Sequence, residues 1–109
     1  MVKVVAHNPQ SLLEDIENAI ADEEITTWEK TSGGSLTHTN EKWRNKAWFR
    51  PKVNADSIIF NIIRPKGGNV SKDAYAIYHG RFSSMLLTHF DNKVKTIEIT
   101  ALASNGDIV

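Results

Sequence analysis

Residues 44–65 read RNKAWFRPKVNADSIIFNIIRP, and whether this stretch forms two strands decides the fold. Asn54 to Asp56 has the composition of a turn, and the segments on both sides read as strands. Pro51 lies near one end of the first strand, where a missing backbone donor is tolerated. The second, Ser57 to Ile63, is apolar on both faces. A strand of that kind is central and covered on two sides, or its second face awaits a partner.

Upstream, residues 24–39 read EITTWEKTSGGSLTHT. β-Branched residues on either side of Gly33 and Gly34 predict two strands joined by a tight turn, which places Trp28 near His38. Before them, NPQSLLEDIENAIADEE (residues 8–24) predicts an amphipathic helix. Asn8 caps it, Pro9 takes the first helical position, and Leu12, Leu13, Ile16, Ala19 and Ile20 recur at helical spacing. Asp22, Glu23 and Glu24 oppose the helix dipole and help to end it. The short VKVVA that precedes the helix reads as an edge strand.

Downstream, RPKGGNVSKD (residues 64–73) reads as a loop, and Ser71 or Asn69 starts a second helix that runs to Phe90. In the last strand, Lys95, Ile97, Ile99 and Ala101 alternate with Thr96, Glu98 and Thr100. The tail SNGDIV opens on an Asn-Gly turn and reads as a frayed end. The order is (β)-α-β-β-β-β-α-β over one domain, residues 1–109. It predicts an α+β fold of two layers, a mainly antiparallel sheet of four to six strands packed against two helices. A ferredoxin-like core with one extra hairpin is the specific alternative.

Composition narrows the function. The chain has 109 residues, 40% hydrophobic and 24% charged, which is ordinary for one globular domain. Cysteine is absent, which removes thiol nucleophiles, zinc–thiolate sites and iron–sulfur clusters. The opening apolar run is too short for a signal-peptide core and no later run approaches a membrane span, so a cytoplasmic location without membrane contact is the default expectation. Thirteen basic residues balance thirteen acidic ones, so a case for nucleic acid has to come from clustering.

Four features carry candidate chemistry. On the second helix Tyr75, Tyr78, His79, Phe82, Met85, Leu86, His89 and Phe90 share one broad face, a core stripe with both histidines at its margins. His79 and His89 are ten positions apart, about 15 Å along the axis, and cannot share an ion. The one metal arrangement left, His38 with a helix histidine, ranks below a purely structural role, and no cofactor is expected. His79 and Ser83 stand at i, i+4, but no acid is placed to orient the imidazole, so no catalytic residue is assigned. Gly80 costs about 1 kcal/mol within a helix and marks a place where a backbone, a ligand or a partner presses close. Arg64 and Lys66, with the following helix start, can attract an anion.

The strongest local signal is the alternation that places Arg44, Lys46, Trp48, Arg50 and Lys52 on one face. Charges that track a phosphate backbone and a ring on which a base can stack are the ingredients of single-strand binding on a sheet. The same pattern suits any half-exposed strand whose cationic stems cover a tryptophan. Trp28, Leu36 and Trp48, with one side of the 58–63 strand, are expected to leave an apolar sheet face for a second copy or a protein partner. If the face instead curves around Tyr75, Tyr78, His79 and Arg81, it holds a small ligand. The leading expectation is a non-enzymatic module that self-associates or binds a protein. Single-stranded nucleic acid or an anionic ligand on strand 44–52, and a small-molecule pocket between sheet and second helix, are the alternatives. The candidate contact residues are Arg44, Lys46, Trp48, Arg50, Trp28, His38, Tyr75, His79 and Arg81.

Overall fold

A computed structural model describes all 109 residues. In chain order the elements are β1 (Val2–Val5), α1 (Pro9–Ala21), β2 (Trp28–Lys30), β3 (Leu36–His38), β4 (Trp48–Val53), β5 (Ser57–Ile63), α2 (Lys72–Phe90) and β6 (Thr96–Ile99). Every strand pairs antiparallel with its neighbours, in the order β2-β3-β4-β5-β1-β6. Strands β4, β5, β1 and β6 with the two helices have the ferredoxin-like β-α-β-β-α-β connectivity. The β2–β3 hairpin extends that sheet beyond β4. No helix is long and apolar enough to cross a membrane.

Local chemistry accounts for the elements. The Asn8 side chain accepts the Ser11 N–H and Pro9 opens α1; Ser71 caps α2 by accepting from Ala74 N–H. The β4–β5 turn closes through a bond from Asn54 N–H to the Ser57 carbonyl, 2.8 Å. At the β2–β3 end the reversal is looser than a two-residue turn. Gly34 takes a φ of 88° and donates to the Thr31 carbonyl, while Thr31 N–H meets the Ser35 carbonyl. That is the pattern of a three-residue loop ending in a left-handed glycine.

Both helices lie on one face of the sheet. Val2 and Val4, Phe49, and Ile58, Phe60 and Ile62 face Leu12 and Ile16 of α1 and Tyr78, Phe82 and Leu86 of α2 in a single buried cluster. Phe82 is its hub, with ring centroids 4.7 Å from Phe60, 4.8 Å from Phe49 and 5.1 Å from Trp28. Trp28 and Leu36 belong to this core, at 2% and 0% exposed. The expectation that they help leave an uncovered apolar face is therefore overturned: their alternation turns them toward the helices.

The tail departs from the frayed end expected of it. Asn105 and Gly106 turn the chain back, and Ile108 donates to the Ile62 carbonyl while Arg64 N–H donates to the Ile108 carbonyl. Residue 108 thereby makes a parallel bridge to Ile63, beside the part of β5 that lies beyond the Val2 end of β1.

Candidate functional site

The second face of the sheet carries no helix. Cross-strand register builds it row by row: Lys52 beside Ile59, Ile59 beside Lys3 and Lys3 beside Glu98; then Arg50 beside Asn61; then Trp48 beside Ile63. Trp48, Ile59 and Ile63 are half-buried, while Arg50 and Lys52 are exposed. None of Lys3, Arg50 and Lys52 has a carboxylate within salt-bridge distance. Within β4, β5, β1 and β6, Glu98 is the one acid on this face.

The stripe expected from Arg44 to Lys52 is only half realised. Strand β4 begins at Trp48, and residues 41–45 form turns in which Asn45 has a φ of 59°. A residue in the left-handed region breaks strand alternation, so Arg44 and Lys46 leave the row. Arg44 instead pairs bidentately with Glu29, 2.9 Å for each bond. Lys46 lies beside Lys42, Trp43 and Pro65. Lys3 takes their place. Only the β1–β5 register reveals it, although a lysine between Val2 and Val4 is itself the mark of a strand position facing away from the core.

On the helix side, Trp28 and His38 are direct cross-strand partners, as expected, with ring centroids 5.0 Å apart. His38 is buried. Its Nδ1 accepts the Asn40 N–H at 2.9 Å, and its Nε2 stands 3.3 Å from Arg81 Nη1. Burial, then the adjacent guanidinium, hold its pKa below the usual histidine value. Arg81 is exposed and forms no ion pair. The two side chains border a cleft between the hairpin and α2, with Trp28 and Met85 as its apolar lining.

Tyr75 and His79 belong to a different cluster. Their rings stack at 3.8 Å. His79 Nδ1 donates to the Tyr75 carbonyl at 2.7 Å, which leaves Nε2 to accept from the Met1 amino group at 2.8 Å. The same amino group reaches Thr100 Oγ1 and Asp107 Oδ2, each at 3.0 Å. Burial lowers the His79 pKa from 6.5 to about 4, the Tyr75 carbonyl opposing that shift. For Asp107 burial acts upward, but bonds from Ser104 N–H, the Asn61 amide, the Met1 amino group and Ile62 N–H outweigh it, and the pKa is lowered. Every member of this network has a partner, so it ties β1, α2 and the tail together.

Three readings of α2 resolve. Ser83 Oγ donates to the His79 carbonyl at 2.8 Å and not to the imidazole. His89 is exposed and not part of the core stripe. A Cβ on Gly80 would meet nothing within 4 Å, so no backbone or side chain presses on it. No group of three or more metal-ligating side chains comes together anywhere in the fold. No family model, curated protein or solved structure matches the chain.

Proposed function

We propose that this domain works by binding, and that the open face of its sheet takes a single strand of nucleic acid. The observation that carries this reading is the set of three unpaired cations, Lys3, Arg50 and Lys52, around Ile59, with Trp48 at the end of the same face. Cations spaced along a pleated surface suit successive phosphates, and an indole offers a stacking plane that tolerates any base. Charge disfavours a second copy on this face. Stacking two such faces opposes cation to cation, with Glu98 as the only compensating acid of the four strands.

A separate observation favours self-association at another place. Strand β6 is a sheet edge. Leu87 of α2 and Ile99 of β6 itself are 60% and 47% exposed, and with Val94 and Ile97 they form the apolar part of a hollow between α2 and β6 that Ser83, Asp91, Lys95 and Thr96 also line. An edge strand flanked by apolar side chains can pair antiparallel with the same strand of a second copy.

An amide-resolved NMR titration with a mixed single-stranded oligonucleotide tests both readings. The first expects salt-sensitive shifts at Trp48, Arg50, Lys52 and Lys3. With three phosphate contacts, log Kobs should fall with log salt at a slope of about −2. Shifts insensitive to salt, or confined to other surfaces, overturn it. Concentration-dependent broadening at Ile97 and Ile99, with slowed tumbling, supports pairing of the β6 edges; its absence overturns that second reading.

A further inference from the structure

Among the protein groups that His38 touches, one donor is left without an acceptor. A neutral imidazole has one N–H and one lone pair. The Asn40 N–H points at Nδ1 from 2.9 Å, and a backbone amide can only donate, so the lone pair is on Nδ1 and the proton on Nε2. Nε2 faces Arg81 Nη1 at 3.3 Å, and a guanidinium also only donates. Protonating the ring removes the lone pair that Asn40 uses and adds a second positive charge beside Arg81. Neither protonation state provides the acceptor that this pair of donors requires.

We propose that the cleft between the β2–β3 hairpin and α2 is a binding site for a small oxyanion, the phosphate or carboxylate of a compact ligand, held between His38 Nε2–H and the Arg81 guanidinium. One oxyanion accepts from both groups, turning an opposed pair of donors into two charge-assisted bonds. The rest of the cleft has matching chemistry. Thr27, Ser84 and Thr88 line it with hydroxyls, His89 adds a second imidazole, and no Asp or Glu is present. Its volume is about 260 Å³, small beside the roughly 300–1,000 Å³ of drug-sized ligand sites, which limits the occupant to a compact molecule.

The imidazole is held for this role. The Trp28 ring at 5.0 Å and the Tyr78 ring at 6.2 Å flank it, and Asn40 fixes which nitrogen carries the proton. Arg81 is exposed and no carboxylate holds it. Trp28 and His38 face the helices, whereas Lys3, Arg50 and Lys52 occupy the opposite side of the sheet. The two sites are therefore separable by mutation.

Nitrogen-15 NMR of the imidazole and guanidinium groups, at constant ionic strength set with chloride, tests the proposal. The ligand-free protein should show His38 as the Nε2–H tautomer. Inorganic phosphate and acetate are titrated separately, and at least one should give saturable shifts at His38 Nε2 and Arg81; which does so names the ligand's anionic group. Arg81→Gln should weaken that response at least tenfold, because a neutral amide replaces the charged fork. Arg50→Gln, on the other face, should leave it unchanged. An Nδ1–H tautomer, equal responses in the parent and Arg81→Gln, or no saturable response to either anion overturns the proposal.

Discussion

Gly106 sits so close to Asn61 that a Cβ on the glycine would stand 2.7 Å from Asn61 Oδ1. The glycine also has a φ of 94°. Both facts oppose a side chain, and the same turn seats Asp107 and lets Ile108 bridge to β5. Gly106→Ala is expected to destabilise the fold by about 1–3 kcal/mol through strain and displacement of the tail. Urea unfolding of the variant measures this.

Gly80 predicts the opposite sign. It lies exposed within α2 with open space where a Cβ would go, so alanine adds helix propensity and meets no obstacle. Gly80→Ala should stabilise the fold by about 1 kcal/mol, read as a raised urea midpoint at unchanged m-value. A loss of stability would show that a close approach at this position had been missed.

Acid should lower the stability of the fold in two successive pH ranges. His79 binds its proton less readily folded, at about 4, than at its usual 6.5, so the unfolded chain takes up the proton first as pH falls. Stability is unaffected by this residue above 6.5 and declines from there toward 4. Asp107 has a folded pKa below its ordinary 3.8, so its contribution is present above that value and is lost as pH falls below it. Thermal midpoints against pH should show both descents, and His79 should titrate near 4 by NMR. A His79 that titrates at 6.5 removes its share of the first descent and leaves only that of His38, whose pKa burial and Arg81 also lower.

Arg44 separates strand chemistry from a surface ion pair. Its guanidinium meets Glu29 on a solvent-exposed patch, where such pairs contribute up to about 1 kcal/mol. Arg44→Gln should therefore cost little stability and leave any oligonucleotide affinity nearly unchanged, whereas Arg50→Gln reduces that affinity and its salt slope. Equal losses from both variants would return Arg44 to the contact surface.

Phe82 should be the most sensitive core position on α2. It is fully buried among Phe60, Phe49 and Trp28, and Phe82→Ala is expected to cost about 3–5 kcal/mol. Chemical denaturation gives the value.

What the sequence determined by itself was local. The Asn8 cap and Pro9, a second helix starting at Ser71 or Asn69, the strand from Ser57 to Ile63 and the pairing of Trp28 with His38 are all readable from neighbouring residues. Caps, turns and alternation act over a few positions, and their order along the chain then restricts the fold to an antiparallel sheet with two helices.

What only the tertiary structure decided was which distant residues meet. Alternation alone kept Arg44 and Lys46 in one row with Trp48, until Asn45 entered the left-handed region and the loop turned Arg44 toward Glu29. Lys3 joins Lys52 across Ile59 because β1 pairs with β5, from residues more than fifty positions away in the chain. His38 meets Arg81, and Asp107 meets Met1, in the same way. Side-chain partners of this kind are set by strand order and register, which come from burying one common core. No single stretch of sequence contains that information.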